Sequence, residues 1–137
     1  MRVVRAGVAA TFTLASGLAP GHNGEAVRSD NMTTVYIVFL KKGPHWAESH
    51  DSTALQDAHL ANIRAMWRAK KLIVAGPLGD DGDLRGIFVF QVPSLEDAKA
   101  LTASDPAVKA GQLVGEIHTW WVEKDALPAA GEYCRPQ

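Results

Sequence analysis

The sequence predicts an α+β domain built on one antiparallel sheet, and three observations lead there. Four segments rich in β-branched and aromatic residues are interrupted by two segments of helical periodicity, in the order β-α-β-β-α-β. The second and third of those strands are separated by a tight polar turn, so they form a hairpin. The chain has 137 residues, 47% of them hydrophobic and 21% charged, which suits a single globular domain.

Each element has a local reason. TTVYIVFLK (33–41) alternates β-branched and aromatic residues and reads as the first strand. KGPHWAESHDS (42–52) carries a Gly43-Pro44 break among polar residues and reads as a loop. Ser52 or Thr53 is placed to cap a helix, ALQDAHLANIRAMW (54–67), that ends near Lys70-Lys71, two cations suited to a helix C-terminus. At about 100° per residue its Leu55, Leu60, Ile63, Met66 and Trp67 share one side, and Asp57, Ala61, Arg64 and Arg68 take the other. LIVAGPL (72–78) and LRGIFVFQV (84–92) are strands joined by the turn GDDGD. Ser94 caps LEDAKALTA, Asp105-Pro106 restarts a short helical turn, and QLVGEIHTWWVE (112–123) is the last strand. This order is the ferredoxin-like, split βαβ arrangement with a four-stranded antiparallel sheet.

The strands also bear on assembly. Val35, Ile37 and Phe39 point one way and Tyr36, Val38 and Leu40 the other, so both sides of the sheet are apolar. Two helices cover one face only, and the other would leave an apolar patch larger than a soluble monomer usually shows. A homodimer, packed sheet against sheet through an isologous contact, is therefore expected.

Residues 1–31 differ from the rest. Arg2 and Arg5 precede an apolar stretch, AGVAATFTLASGLA, which is too short to span a bilayer, and Gly24-Glu25-Ala26 follows. That is the layout of a secretory signal peptide, implying an exported protein with no membrane segment in its mature form. The alternative is a start at Met32 and a cytoplasmic location. The expected organisation is a leader (1–31), a domain (32–125) and an irregular tail (126–137).

Several functions are excluded on composition. A net charge of -1 and no Lys/Arg run longer than two argue against nucleic acid. Cys134 is the only cysteine, so there is no internal disulfide and no thiolate metal site, and it has no activating neighbour in sequence. No Rossmann or P-loop glycine pattern points to a nucleotide. The DDGD turn lacks the alternating ligands and distal Glu of a calcium loop. His45, His50 and His118 follow no metal-ligand spacing, although Glu116, His118 and Trp120 share one face of their strand.

His59 is the residue that needs explaining. It falls inside the apolar stripe of the first helix, between Met66 and Ile63. An imidazole there is either a satisfied core group or a proton acceptor that a carboxylate orients. Asp105 is within reach from the far end of the second helix, and it also suits a helix cap ahead of Pro106. Tyr36 on the first strand and one of Trp120 and Trp121 on the last could meet a ligand or a partner subunit, with core packing the alternative.

Six segments taken in order, YIVFLKKGPHW, LQDAHLANI, AGPLGDDGDLRGIFVF, SLEDAKAL, SDPAVKAG and EIHTWW, resemble the YciI-like (YCII-related) family of the dimeric α/β barrel superfamily. The resemblance runs from Thr34 to about Val122. It implies a ferredoxin-like protomer, a dimer, and a cleft between helices and sheet holding a histidine–aspartate pair, here His59 and Asp105. The Gly76-Pro77 turn matches as well. The superfamily includes isomerases and dehydrochlorinases of small ring compounds, beside heme enzymes and mono-oxygenases. The family usually lacks a leader, so residues 1–31 depart from it. The expectation is an isomerase- or lyase-type enzyme without cofactor or metal. His59 and Asp105 would be catalytic, and Tyr36, Gly76, Pro77 and Trp120 would line the substrate. A non-catalytic ligand-binding domain with a structural His–Asp pair is the rival, and heme ligation by His59 a third reading.

Overall fold

The computed structural model describes residues 30–132. All but the last two residues of the expected leader, and Cys134, lie outside them. The elements are β1 (Met32–Lys42), α1 (Trp46–Ser49), α2 (Thr53–Arg68), β2 (Leu72–Pro77), β3 (Leu84–Phe90), α3 (Leu95–Ser104), α4 (Pro106–Lys109) and β4 (Leu113–Glu123). The four strands form one antiparallel sheet in the order β2-β3-β1-β4. This is the ferredoxin-like topology that the element order predicts.

Local chemistry sets the helix ends. Ser52 caps α2, its hydroxyl accepting from Leu55 N at 3.3 Å, and Ser94 caps α3, accepting from Asp97 N at 3.1 Å. The first of these helices stops at Arg68, short of the expected lysines. Lys70 takes a left-handed conformation (φ 57°), and the N–H groups of Lys70 and Lys71 close onto Trp67 O and Met66 O. This is a Schellman termination with lysine where glycine is usual. The expected loop after β1 holds the single-turn helix α1. Ser49 Oγ donates to His45 O, and Gln112 Nε2 donates to Ser49 O at 2.8 Å, which ties α1 to the start of β4. Four residues are too few to show a helical period.

The sheet separates two apolar clusters. On the helix side, Tyr36, Val38, Leu40, Phe88 and Phe90 pack against Ile63 and Met66 of α2 and Ala98 of α3. On the open side, Val35, Ile73, Val89 and Val122 pack with Leu127 and Ala130 from the chain after β4. The expectation of a wholly bare second face is therefore corrected. The segment 124–132 folds back over one end of it, with Ala130 N donating to Gln91 Oε1 and Gly131 N to Leu72 O. Gly131 is required there. It sits at φ 79°, and a Cβ would lie 2.6 Å from Trp67 O.

Gly115 lets α3 approach β4. A Cβ there would lie 2.4 Å from Thr102 Cγ2 and 3.1 Å from Val38 Cγ1. Gly115→Ala should therefore cost about 1–3 kcal/mol through overpacking. Adding Thr102→Ser, which removes the offending methyl and keeps the hydroxyl, should recover part of that loss in urea unfolding. A neutral single substitution would contradict this packing.

Candidate functional site

Asp105 ends α3 and begins α4. Its extended backbone (φ -65°, ψ 130°) and Pro106 in the first helical position break the helix at this point. The side chain is fully buried. A carboxylate without water requires donors, and it has them. Oδ1 accepts from Ala107 N at 3.0 Å, from Val108 N at 3.4 Å and from His59 Nδ1 at 2.8 Å. Oδ2 accepts from Asn62 Nδ2 at 2.9 Å and lies 3.0 Å from His59 Nδ1. Burial pushes the carboxyl pKa up, but the His59 hydrogen bond and charge, Asn62 and the Ala107 N–H outweigh it and hold the group below its ordinary value.

The ionised acid fixes the imidazole. A carboxylate only accepts, so the shared hydrogen belongs to His59 Nδ1, and Nε2 carries the lone pair of the neutral ring. The ring is 9% exposed and stacks on Phe88, with centroids 5.9 Å apart and planes 25° from parallel. Its Nε2 has no hydrogen-bond partner among the described residues.

His59 stands in the wall of a cavity of about 390 Å³ between α1, α2 and the helix side of the β2–β3 hairpin. That size falls in the range of small-molecule sites. Gly76 and Pro77, which the family resemblance implies as substrate contacts, are part of this wall. Tyr36 is buried in the helix-side core and is not part of the wall. Trp120 is also absent from it. Paired with Val35, Trp120 lies on the open face, across the sheet from His59, and is 40% exposed.

The other histidines are dispersed. His50 stacks on Trp46 at the cavity wall, whereas His118 bonds Glu116 on the open face, where Lys41 also pairs with that carboxylate. Among the described residues no group of three or more His, Cys, Asp or Glu is placed to hold a metal ion.

Sequence reasoning missed Asn62, Arg64, Arg85, Trp46 and Gln112. Asn62 was accessible to it, because it lies three residues from His59 on the same helix surface. Arg64 sits on the outer side of the helical wheel, and its long side chain still reaches the cavity rim. Arg85 is set by the turn before β3, its Nη1 donating to Asp80 O at 2.6 Å and Gly82 O at 3.1 Å.

A ferredoxin-like sheet with a buried acid–imidazole pair at the wall of one cavity defines the class. The chain belongs to the YCII-related domain family, whose model matches residues 32–121. Among solved structures it is similar to 5-chloro-2-hydroxyhydroquinone dehydrochlorinase from Burkholderia phenoliruptrix AC1100, in complex with 2,5-dihydroxybenzoquinone. The two are 25% identical, the match covers 63% of this chain and 92% of that one, and the TM-score is 0.47. No curated protein matches the chain. Among the described residues no helix is long and apolar enough to cross a membrane.

Asp105→Ala removes a cap and orphans the His59 and Asn62 donors, and should cost about 1–3 kcal/mol. The folded-state pKa of Asp105 is depressed, so its ionisation stabilises the fold above the ordinary carboxylate range, and that contribution is lost as pH falls through the folded value. The stability gap between wild type and Asp105→Asn in urea should hold near neutrality and narrow below about pH 4. A gap that widens on acidification would contradict an ionised Asp105.

Proposed function

We propose that this protein is a small-molecule enzyme in which His59 is the general base and Asp105 its positioning carboxylate. The observation that supports the reading is the buried pair itself. The Nδ1 hydrogen is committed to Asp105 at 2.8 Å, which leaves the Nε2 lone pair of a ring on the cavity wall.

In the proposed step Nε2 takes a proton from an acidic carbon of the substrate. The C–H bond breaks and an N–H bond forms. The electron pair moves onto a conjugated oxygen and the imidazolium then returns the proton to another carbon of the conjugated system, giving an isomerisation. Alternatively the pair expels a leaving group from the adjacent carbon and the imidazolium gives its proton to water, an elimination. Asp105 stabilises the imidazolium that results, and its backbone and Asn62 donors keep it from accepting the proton itself. Phe88 beneath the ring fixes its plane. The residues that take part need neither metal nor organic cofactor for this step.

The test needs no known product. A panel of small carbon acids in D2O, followed by proton NMR, should show loss of a substrate C–H signal or turnover. His59→Gln should reduce that rate by roughly 10²–10⁴-fold, the usual worth of a positioned base, with the fold intact by circular dichroism. Activity that survives the substitution would leave the pair a purely structural role, for which its helix-capping bonds already give a reason.

A homodimer is part of the same proposal. Segment 124–132 covers only one end of the open face, where Val114 and Trp120 remain 47% and 40% exposed and Ile37, Phe39 and Ile87 are half-buried. A second copy laid against this face removes that surface. Sedimentation at micromolar concentration should give the dimer mass, and a well-folded monomer would overturn the pairing.

A further inference from the structure

The charge on the cavity wall is one-sided. Arg64 and Arg85 contribute to it, and no Asp or Glu does. The carboxylate nearest in chemistry, Asp105, lies behind the imidazole and is saturated by its own donors. Neither arginine has a carboxylate partner among the described residues. The turn before β3 meets Arg85 through the backbone carbonyls of Asp80 and Gly82, not through its aspartate side chains.

Arg85 is held in a particular way. Both of those carbonyls take Nη1, and the guanidinium carbon lies 5.7 Å from the centre of the Trp46 ring. Its Nε is enclosed and has no acceptor. Its Nη2 makes no hydrogen bond among the described residues and is the donor left to an arriving anion, on a side chain that is otherwise fixed. Arg64, at the rim on α2, makes no hydrogen bond or ion pair among the described residues. The rest of the wall is mostly apolar, from Leu40, Leu60, Ile63 and Leu113, with the aromatic surfaces of Phe88 and Trp46. Such a surface favours an organic body over a bare inorganic ion.

We infer that the ligand of this cavity is a small organic anion, a carboxylate on a flat apolar body, with its charge taken by Arg85 and Arg64 and its body against the wall beside His59. The inference rests on this cavity being the substrate site, as proposed above, but not on His59 acting as a base. It also adds to that chemistry. Two cations facing the substrate stabilise the negative charge that develops when a carbon next to a carboxylate loses its proton.

The probes are benzoate, its neutral isostere benzamide, and inorganic phosphate, titrated into the full chain and followed by ¹H–¹⁵N NMR. Benzoate should shift the amides of Gly86 and Ile63 and bind at least about tenfold more tightly than benzamide, the size of one charge-assisted hydrogen bond. Phosphate should bind more weakly than benzoate. Arg64→Met and Arg85→Met should each weaken benzoate by roughly five- to tenfold and leave benzamide unchanged. Because Arg85 also holds its turn, Arg85→Lys serves as a control that keeps the charge and loses the fork, and it should fall between wild type and Arg85→Met. His59→Gln should still bind benzoate, so failure of the base assignment and failure of this one are separable. Equal affinity for benzoate and benzamide, no shift of the cavity amides by benzoate, or benzoate binding unaffected by both arginine substitutions would each overturn the inference.

Discussion

The buried carboxylate of Asp105 is the constraint on which the rest of the helix layer depends. An ionised acid in the interior is tolerated only when donors replace its water, and here they come from two elements. The backbone N–H groups of Ala107 and Val108 come from the turn that Asp105 itself starts, and the side chains of His59 and Asn62 come from α2. The break between α3 and α4 is thus more than a cap. It brings the acid under α2 and locks the rotation of that helix, since any other rotation would strand a charge. The plane of the imidazole and the side of the ring that faces the cavity follow from the same lock.

The cavity lies where α2, which packs on β2, and α1, pinned by Gln112, leave space above the sheet. The residues that remain around the opening are of two kinds. Apolar side chains continue the core outwards, and long cations extend over the rim with nothing of opposite charge to meet them. The imidazole stands in the wall of this hollow and the arginines are different residues of the same lining, so the two can be substituted separately.

The fold was legible wherever a segment was long enough to carry a period. All four strands and the helices 53–68 and 95–104 appear within a few residues of their expected limits. The single turn at Trp46–Ser49 was not visible, because four residues carry no helical period, and it is tied down in part by the tertiary bonds of Gln112 Nε2 to Ser49 O and of His45 N to Gly111 O. The helix α2 stops two residues before Lys70 because that lysine takes the left-handed position that sequence rules reserve for glycine. Of the site, the contact between His59 and Asp105 came from an out-of-place residue in the apolar stripe together with a family resemblance. Gly76 and Pro77 fall on the cavity wall. Trp120 does not, since sequence alone does not say which face of a two-sided apolar sheet meets the hollow, and Tyr36, although on the helix side, is buried in the core outside the wall. The arginines escaped for a different reason. A helical wheel records where a side chain leaves the backbone, and these two act at the far end of theirs.

That two-sidedness reaches down to single positions on β1. Val38 and Leu40 join the helix-side core, with Leu40 in the cavity wall, while Val35 and Ile37 belong to the opposite cluster. Neighbours in the chain therefore answer to separate selections. Even-numbered sites on this strand are free to drift only as far as the helix-side core and its cavity tolerate, and odd-numbered ones only as far as the outer surface does. A lineage could remodel one without disturbing the other, by mutating every second residue of a single ribbon.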